Sequence, residues 1–184
     1  MHYKLVGFTG AAGCGKSTAA SVFVMHEYEE LPFARPLKDM LRVILVARGC
    51  PDPDAYLHGN KKEVLTPYLM GKSARHAMQT LGTEWGRNSI HNELWVNTWF
   101  VMAKKELDAG GRVVVADVRF QNEADAIKRL GGHVVEITRP AHLKLMGDTA
   151  QHGSEYGGIL ADRRIENDGV NIAGWKCKIE GIFF

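Results

Sequence analysis

The sequence predicts an α/β protein built on a parallel sheet, and three stretches carry that expectation. The first is the N-terminal run Leu5-Val6-Gly7-Phe8-Thr9-Gly10-Ala11-Ala12-Gly13-Cys14-Gly15-Lys16-Ser17-Thr18, where an apolar segment stops at a glycine-rich turn that opens into the helical pattern Ala19 to Val24. The second is Arg112 to Phe120, whose core Val113-Val114-Val115-Ala116 is uninterrupted apolar sequence, the habit of a strand buried on both faces. The third is His133 to Thr138, another buried-strand pattern, separated from the second by a helical segment, Gln121 to Leu130, that Gly131-Gly132 ends. Strands that alternate with helices put helices on both faces of the sheet, in three layers. A chain of 184 residues supplies one sizeable core and is short for two, so one domain carrying insertions is expected.

The glycine-rich turn has chemical content. Gly10, Gly15, Lys16 and Ser17 fall at the fixed positions of G-x-x-x-x-G-K-[ST], the phosphate-binding P-loop. Glycines let successive backbone N–H groups turn inward around a polyphosphate, and the following helix points its positive end at the same anion. Gly10, Ala11, Ala12, Gly13, Cys14, Gly15, Lys16, Ser17 and Thr18 are therefore the candidate ATP-binding residues. Lys16 would reach the β- and γ-phosphates, and the Ser17 hydroxyl would take a place on Mg2+. A dinucleotide fingerprint is excluded at this loop, because Lys16-Ser17-Thr18 follows Gly13-Cys14-Gly15 where a third glycine is required.

Composition narrows the alternatives. The net charge is +2, and the basic pairs Lys61-Lys62, Lys104-Lys105 and Arg163-Arg164 are scattered, so no concentrated face for duplex nucleic acid is expected. No apolar run approaches the roughly 20 residues of a membrane span, and glycines and Lys16 break any signal-peptide core. The three cysteines, Cys14, Cys50 and Cys177, are far apart and read as reduced thiols in a cytoplasmic protein. His26-Glu27-Tyr28-Glu29-Glu30 lacks the second histidine that a zinc helix needs, so a protein-ligated transition metal is not expected.

Along the rest of the chain, Leu31 to Ala34 is expected as a second strand, followed by a helix from Pro36 to Ala47 that buries Leu37, Met40, Leu41, Ile44 and Leu45. Arg35, Lys38 and Asp39 then lie at a strand-to-helix junction, where parallel sheets bind ligands. Gly49 to Asn60, with two prolines, reads as a loop. A helix from Ser73 to Ile90 is expected to face the core with Ala74, Ala77, Met78, Leu81 and Trp85. Its neighbouring face gathers Arg75, Gln79, Gly82 and Gly86, and two mid-helix glycines at about 1 kcal/mol each ask for a reason. Such a notch admits a small planar ligand, with Arg75 on an anion and Gln79 on a polar edge, or the close packing of another element. Glu93 to Leu107 is a further helix, with Leu94, Trp95, Thr98, Trp99 and Met102 on its inner side.

Asp117, at the end of the second buried strand, has the place of the acid that orders Mg2+ beside a P-loop, and Arg119 shares its rim. Asn122 is the expected N-cap of the following helix. Beyond His133 to Thr138, the segment from Arg139 to Asp162 is polar and glycine-rich and is expected to act as a lid, with Arg139, Lys144, His152 and Glu155 as the groups it brings. Arg163 to Asn167 is expected as a last strand and Val170 to Phe184 as a closing helix.

A P-loop leaves the reaction open, and the acceptor discriminates. A sugar hydroxyl needs a base within hydrogen-bond reach. A phosphate monoester, with a second pKa of about 6, is already an anionic nucleophile and needs arginines instead. Arg75, Arg87, Arg119 and Arg139 lie in segments that tilt the reading toward a phosphate acceptor.

Six blocks taken in order carry a resemblance: Gly10 to Thr18; Phe33-Ala34-Arg35-Pro36-Leu37-Lys38; Leu81-Gly82-Thr83-Glu84-Trp85-Gly86-Arg87 with Trp95-Val96; Asp117-Val118-Arg119-Phe120-Gln121-Asn122-Glu123-Ala124; His152-Gly153-Ser154-Glu155; and Ile165-Glu166-Asn167-Asp168-Gly169. Together the chain resembles the deoxynucleoside monophosphate kinases of tailed bacteriophages. The resemblance implies an adenylate-kinase-like P-loop NTPase fold of three layers around a five-stranded parallel sheet. It also implies a helical acceptor-binding insertion near 35–100 and a lid-like segment at 139–162. The implied reaction moves the γ-phosphate of ATP, with Mg2+, to a deoxynucleoside monophosphate. By motif, Lys16, Asp117 and Arg119 become the catalytic residues and Ser17 and Asp117 the metal site. Lys38, Arg75, Gln79, Thr83, Arg87, Trp95 and Arg119 become the acceptor contacts, and Arg139 the lid arginine. The implied partners are this small-molecule substrate and at most a second copy in a homodimer, with neither nucleic acid nor membrane, in the cytoplasm of a host cell. A dephospho-coenzyme A kinase and a non-catalytic P-loop regulator are the alternatives.

Overall fold

Parallel pairing around the first strand determines where everything chemical lies. In the computed structural model, which describes residues 3–139, 158–169 and 171–184, β1 (Leu5–Thr9) is buried at every position. It is the middle strand of a five-stranded sheet of order β2-β5-β1-β6-β7, where β2 is Glu29–Glu30, β5 Val113–Val115, β6 His133–Thr138 and β7 Arg163–Glu166. All four pairings are parallel. The chain builds outward to β2, returns to β5, then crosses β1 to β6 and β7. The order therefore reverses beside β1, and the loop after β1 opens at that switch point, where parallel sheets bind ligands.

Two compact units are present, one made of Met1–Phe33 with Trp99–Phe184 and the other of Ala34–Thr98. In the first, α1 (Lys16–Met25), α6 (Gln121–Arg129) and α7 (Ile172–Phe183) accompany the sheet. Trp175, Ile179 and Phe183 recur at helical spacing and are buried with Val6, Phe8, Phe23, Val114, Val135 and Ile137. Edge-on rings bind this core together: Phe8 to Phe23 at 5.5 Å and Phe23 to Phe183 at 5.0 Å.

Several expected boundaries move. The second strand is Glu29–Glu30, not Leu31 to Ala34, because the ladder is made by main chain: Glu29 N donates to Arg112 O and Leu31 N to Val114 O, at 2.8 and 2.9 Å. As an edge strand it tolerates exposed glutamates. Leu31 and Phe33 are buried beyond the strand, where Trp99 Nε1 donates to Leu31 O at 2.8 Å and its ring packs on Phe33 at 4.3 Å. β5 covers only Val113–Val115, so Asp117 lies past the strand end. Asn122 does not cap α6; the helix begins after Phe120, and the Glu123 carboxylate accepts from the chain instead. The closing helix runs Ile172–Phe183, with Asn171 Oδ1 accepting from Gly174 N at 2.7 Å; Val170 lies outside the described residues.

The second unit has a thin core. Along α2 (Arg35–Ala47) only Leu37, Leu41 and Leu45 are buried, and Met40 and Ile44, expected inside, are exposed. The opposing surface is a small cluster of Cys50, Leu57 and Ala74, which covers one narrow stripe. The expected loop contains α3 (Pro53–Leu57), started by Asp52, which accepts from Ala55 N at 3.1 Å, and by Pro53. A short hairpin, β3 (Leu65–Thr66) with β4 (Lys72–Ser73), leads to α4 (Ala74–Gln79), capped by the Ser73 hydroxyl.

The helix continues from Thr80 to Ile90, but as a π-helix. Wider turns of i to i+5 change which residues share a face. Gly86 falls below Leu81 and is buried, whereas Trp85, expected in the core, is 42% exposed. Against Gly86 lies the indole of Trp95, on α5 (Leu94–Asp108), so close that a Cβ at 86 would overlap it. Its Nε1 donates to Gly82 O at 2.8 Å. At Gly86 the notch is therefore filled by packing. Gly86→Ala is expected to destabilise the protein by about 1–3 kcal/mol, as overpacking does. At Gly82 the nearest neighbour of an added Cβ is Leu37 Cδ2 at 3.7 Å, so Gly82→Ala should be tolerated. Thermal melts of both variants check this, and equal losses of Tm would contradict it.

Candidate active site

The P-loop is shaped by three glycines at positive φ, which other residues rarely adopt: Gly10 at φ 132°, Gly13 at 74° and Gly15 at 110°. Close approach adds a second requirement at two of them. A Cβ on Gly10 would overlap the Ile137 carbonyl oxygen, and one on Gly15 would stand 2.7 Å from Asn167 Nδ2 and 2.8 Å from Trp175 Nε1. The loop delivers Lys16 as the first residue of α1, with Ser17 exposed in its first turn, Thr18 half-buried and Ala12 exposed at the tip. Cys14 N donates to Ala11 O at 3.2 Å and tightens the turn.

Lys16 folds back on its own loop, its Nζ donating to Gly10 O at 2.6 Å and Ala11 O at 2.7 Å. The ammonium is thus held over the loop mouth by carbonyls, which an anionic phosphate oxygen outcompetes as acceptor. Cys14 Sγ lies 3.8 Å from the same Nζ. Burial pushes the Cys14 thiol up, against the opposing pull of Lys16, so it stays protonated at neutral pH and serves as a small core residue.

Asp117 leaves the sheet beside the loop, since its neighbour Val118 donates through N to Phe8 O at 3.3 Å. One carboxylate oxygen, Oδ1, accepts from Phe33 N at 2.9 Å, which orients the group. Arg119 is held from its backbone: its N, at 2.8 Å, and that of Phe120, at 3.2 Å, both donate to Glu123 Oε2. Glu123 is 3% exposed, a buried carboxylate that positions Arg119. Its place, three residues after Phe120 at the head of α6, is the acidic half of a capping box, which is the sequence signal for it.

Arg139 follows β6 directly, its Nη1 3.4 Å from Gly13 O. Its Nε is buried and has no hydrogen-bond partner among the described residues, and a Cβ on Gly169 would stand 3.3 Å from that atom. The other expected lid groups, Lys144, His152 and Glu155, lie outside the described residues, as does most of the 139–162 segment. Asn167 and Trp175 were not singled out from the sequence as site residues, yet both bond to the loop: Asn167 Nδ2 donates to Cys14 O at 2.9 Å and Trp175 Nε1 to Gly15 O at 3.1 Å.

Among the described residues no three His, Cys, Asp or Glu side chains gather as an all-protein cage. Mg2+ uses instead one carboxylate or hydroxyl with waters and substrate phosphates. Ser17 and Asp117, at the loop and beside it, are the hydroxyl and the carboxylate that would hold it in that way.

In the second unit, Lys38 Nζ is 3.4 Å from His58 Nδ1. Burial, then Lys38, lowers the His58 pKa, so the imidazole is neutral at pH 7. Arg42 forks onto Asp54 at 3.0 and 2.6 Å and braces α3. Arg75 Nε pairs with Glu63 Oε1 at 2.7 Å, while its N donates to Lys62 O. Gln79 and Thr83 are exposed, and Arg87 donates to Asn92 O at 3.3 Å. Trp95, expected as an acceptor contact, is 5% exposed and serves as an inner wall; the accessible indole is that of Trp85, 6.0 Å away.

Comparison with known proteins adds to this geometry. Residues 57–174 match the family model described as deoxynucleotide monophosphate kinase. A protein of Acanthamoeba polyphaga mimivirus named "Putative deoxynucleotide monophosphate kinase" is 32% identical over 151 residues, 74% of each chain. Among solved structures, TT1252 from Thermus thermophilus aligns with a TM-score of 0.49 at 17% identity, over 99% of this chain and 97% of that one. Dephospho-CoA kinase from Campylobacter jejuni aligns with a TM-score of 0.41 at 15% identity, over 97% and 95%. Among the described residues no helix is long and apolar enough to cross a membrane.

Proposed function

The chain belongs to the deoxynucleotide monophosphate kinase family, and from that premise we propose that it transfers the γ-phosphate of ATP to a deoxynucleoside 5'-monophosphate, with Mg2+, giving ADP and the deoxynucleoside diphosphate. The observation that carries the reading is the P-loop with Lys16 held over its mouth. On this reading an anionic oxygen of the acceptor monophosphate attacks the γ-phosphorus, the bond to the β,γ-bridging oxygen breaks, and ADP leaves with that electron pair. The acceptor needs no deprotonation by the protein, because its second pKa is about 6. Lys16 exchanges its loop carbonyls for β- and γ-phosphate oxygens and neutralises charge that grows on the leaving group. Arg119, held by Glu123, does the same on the transferring group, and Arg139 offers its Nε to a phosphate. Mg2+, held by Ser17 and Asp117, supplies further neutralisation of phosphate charge when bound.

The second unit, Ala34–Thr98, carries the acceptor contacts in this proposal: Lys38, Arg75, Gln79, Thr83 and Arg87, with Trp95 as the wall behind them. The Arg75–Glu63 pair is exposed on both sides, 43% and 67%, and such pairs are worth about 0–1 kcal/mol, so a phosphate dianion displaces the glutamate at little cost. Arg75→Ala is expected to raise the acceptor KM about tenfold, with kcat and the ATP KM nearly unchanged. Steady-state kinetics in each substrate check this, and an unchanged acceptor KM would remove Arg75 from the site. The reading also carries a cytoplasmic location, in keeping with three unpaired cysteines.

ADP release with Mg-ATP and each deoxynucleoside monophosphate, with ribonucleotides, dephospho-coenzyme A and no acceptor as controls, tests the function. Turnover with a deoxynucleotide supports it and names the base. Turnover only with dephospho-coenzyme A, or ATP binding without turnover on any acceptor, rejects it.

A further inference from the structure

A P-loop binds phosphate through N–H groups, but an N–H points only where its peptide plane lets it. The peptide unit is planar and trans, so the N–H of one residue lies antiparallel to the carbonyl of the residue before it. No cis peptide is present among the described residues. Whatever holds the Cys14 carbonyl outward therefore turns the Gly15 N–H inward, and whatever holds the Gly15 carbonyl does the same for the Lys16 N–H.

Both carbonyls are held. Asn167 Nδ2 donates to Cys14 O at 2.9 Å, and Trp175 Nε1 donates to Gly15 O at 3.1 Å. Neither donor is free to drift. Asn167 is 5% exposed, its N donates to Thr138 O at 2.7 Å and its Oδ1 accepts from Gly169 N at 3.1 Å, so its amide has one orientation. Trp175 is buried in the core of the first unit, on the first turns of α7. The Gly15 carbonyl also accepts the first α1 bond, from Ala19 N at 2.9 Å, so Trp175 occupies its second acceptor position. The two donors approach so closely that a side chain at residue 15 would collide with both. Gly15 is thus glycine on account of the brace as well as of its φ of 110°.

We propose that Asn167 and Trp175 are positioning residues for the triphosphate: they hold two P-loop carbonyls from outside, and by doing so aim the Gly15 and Lys16 N–H groups at the phosphates. The proposal rests on the reading of Gly10 to Thr18 as the ATP-binding loop. It assigns to the β7–α7 region a part in phosphate binding that does not require touching the nucleotide. Because the brace acts on polyphosphate and not on the acceptor, its loss has a one-sided signature.

Trp175→Phe keeps an aromatic ring in the core and removes the Nε1 donor together with some buried volume, whose cost the melting temperature reads separately, and Asn167→Asp keeps the shape while turning an oxygen toward the Cys14 carbonyl. Affinity for ATP and for inorganic triphosphate would be measured by calorimetry on the full-length protein, together with melting temperature and both KM values. The 15N–1H shifts of Gly15 and Lys16 on adding triphosphate give a direct view of the two amides. Trp175→Phe is expected to weaken triphosphate and ATP binding about three- to tenfold, and Asn167→Asp by more, as the loss of one hydrogen bond and the creation of a repulsive contact predict. The acceptor KM should hold, and the triphosphate-induced shifts of Gly15 and Lys16 should shrink. A fall in melting temperature with unchanged triphosphate affinity overturns the proposal and leaves the two residues as packing. Should Asn167→Asp fail to fold, Trp175→Phe decides alone. Triphosphate binding by a wild-type protein that phosphorylates no deoxynucleotide would reject the kinase reading and leave the brace standing, whereas a wild type that binds neither ATP nor triphosphate would reject the brace as well.

Discussion

Lys16→Ala is expected to lower kcat by about a thousandfold or more and to leave the melting temperature nearly unchanged. The size follows from the loss of a charge placed where negative charge develops in a site poorly screened by water, for which single donors are worth roughly 10²- to 10³-fold and cationic fingers more. The folded state has little stake in the side chain. Its Nζ donates to Gly10 O and Ala11 O, in the same loop, and the Cys14 sulfur is 3.8 Å from the ammonium. Single-turnover phosphoryl transfer and a thermal melt measured on one preparation separate the two effects. Retained turnover would remove the P-loop lysine from the mechanism, and with it the reason for reading the site as a kinase.

The second large effect is at Asp117, where two substitutions part company. Asp117→Asn keeps an oxygen that accepts from Phe33 N but loses the negative charge. It should cost about 10²-fold in kcat, with a smaller response of rate to Mg2+ concentration, because one fixed anion that orders the metal or its waters is gone. Asp117→Ala loses both. The N–H of buried Phe33 is then left without that acceptor, a penalty of about 1–3 kcal/mol, so the alanine variant should also melt several degrees lower. If the asparagine variant turned over like wild type while the alanine variant merely melted early, Asp117 would be a structural residue.

The parts of the site that act through local chemistry could be read without coordinates. Gly10, Gly15, Lys16 and Ser17 declare themselves because phosphate binding demands a particular backbone over a few adjacent residues. The β6 bounds, His133–Thr138, and the helices ending at Ala47 and beginning near Gln121 were legible from burial pattern and helix stops. Two expectations about buried residues fail, for two physical reasons. Met40 and Ile44 are apolar on a helix with a clean helical period, but the number of them that can be buried depends on how much surface another element offers. α-Helical spacing puts Trp85 inside, but from Thr80 on the turns widen to π and that spacing no longer holds.

What the sequence by itself determined is the strand–loop–helix with the P-loop pattern, the parallel α/β class and the acidic residue after a buried strand, since each is written in neighbouring residues. What only the tertiary structure decided is which groups from far along the chain complete the loop. Asn167 and Trp175 reach Cys14 and Gly15 across sequence separations of 153 and 160 residues. Those contacts come from the parallel order of the sheet, which brings β7 and the start of α7 back to the end of β1. No local pattern of amino acids records that return, because it is a property of which strands pair.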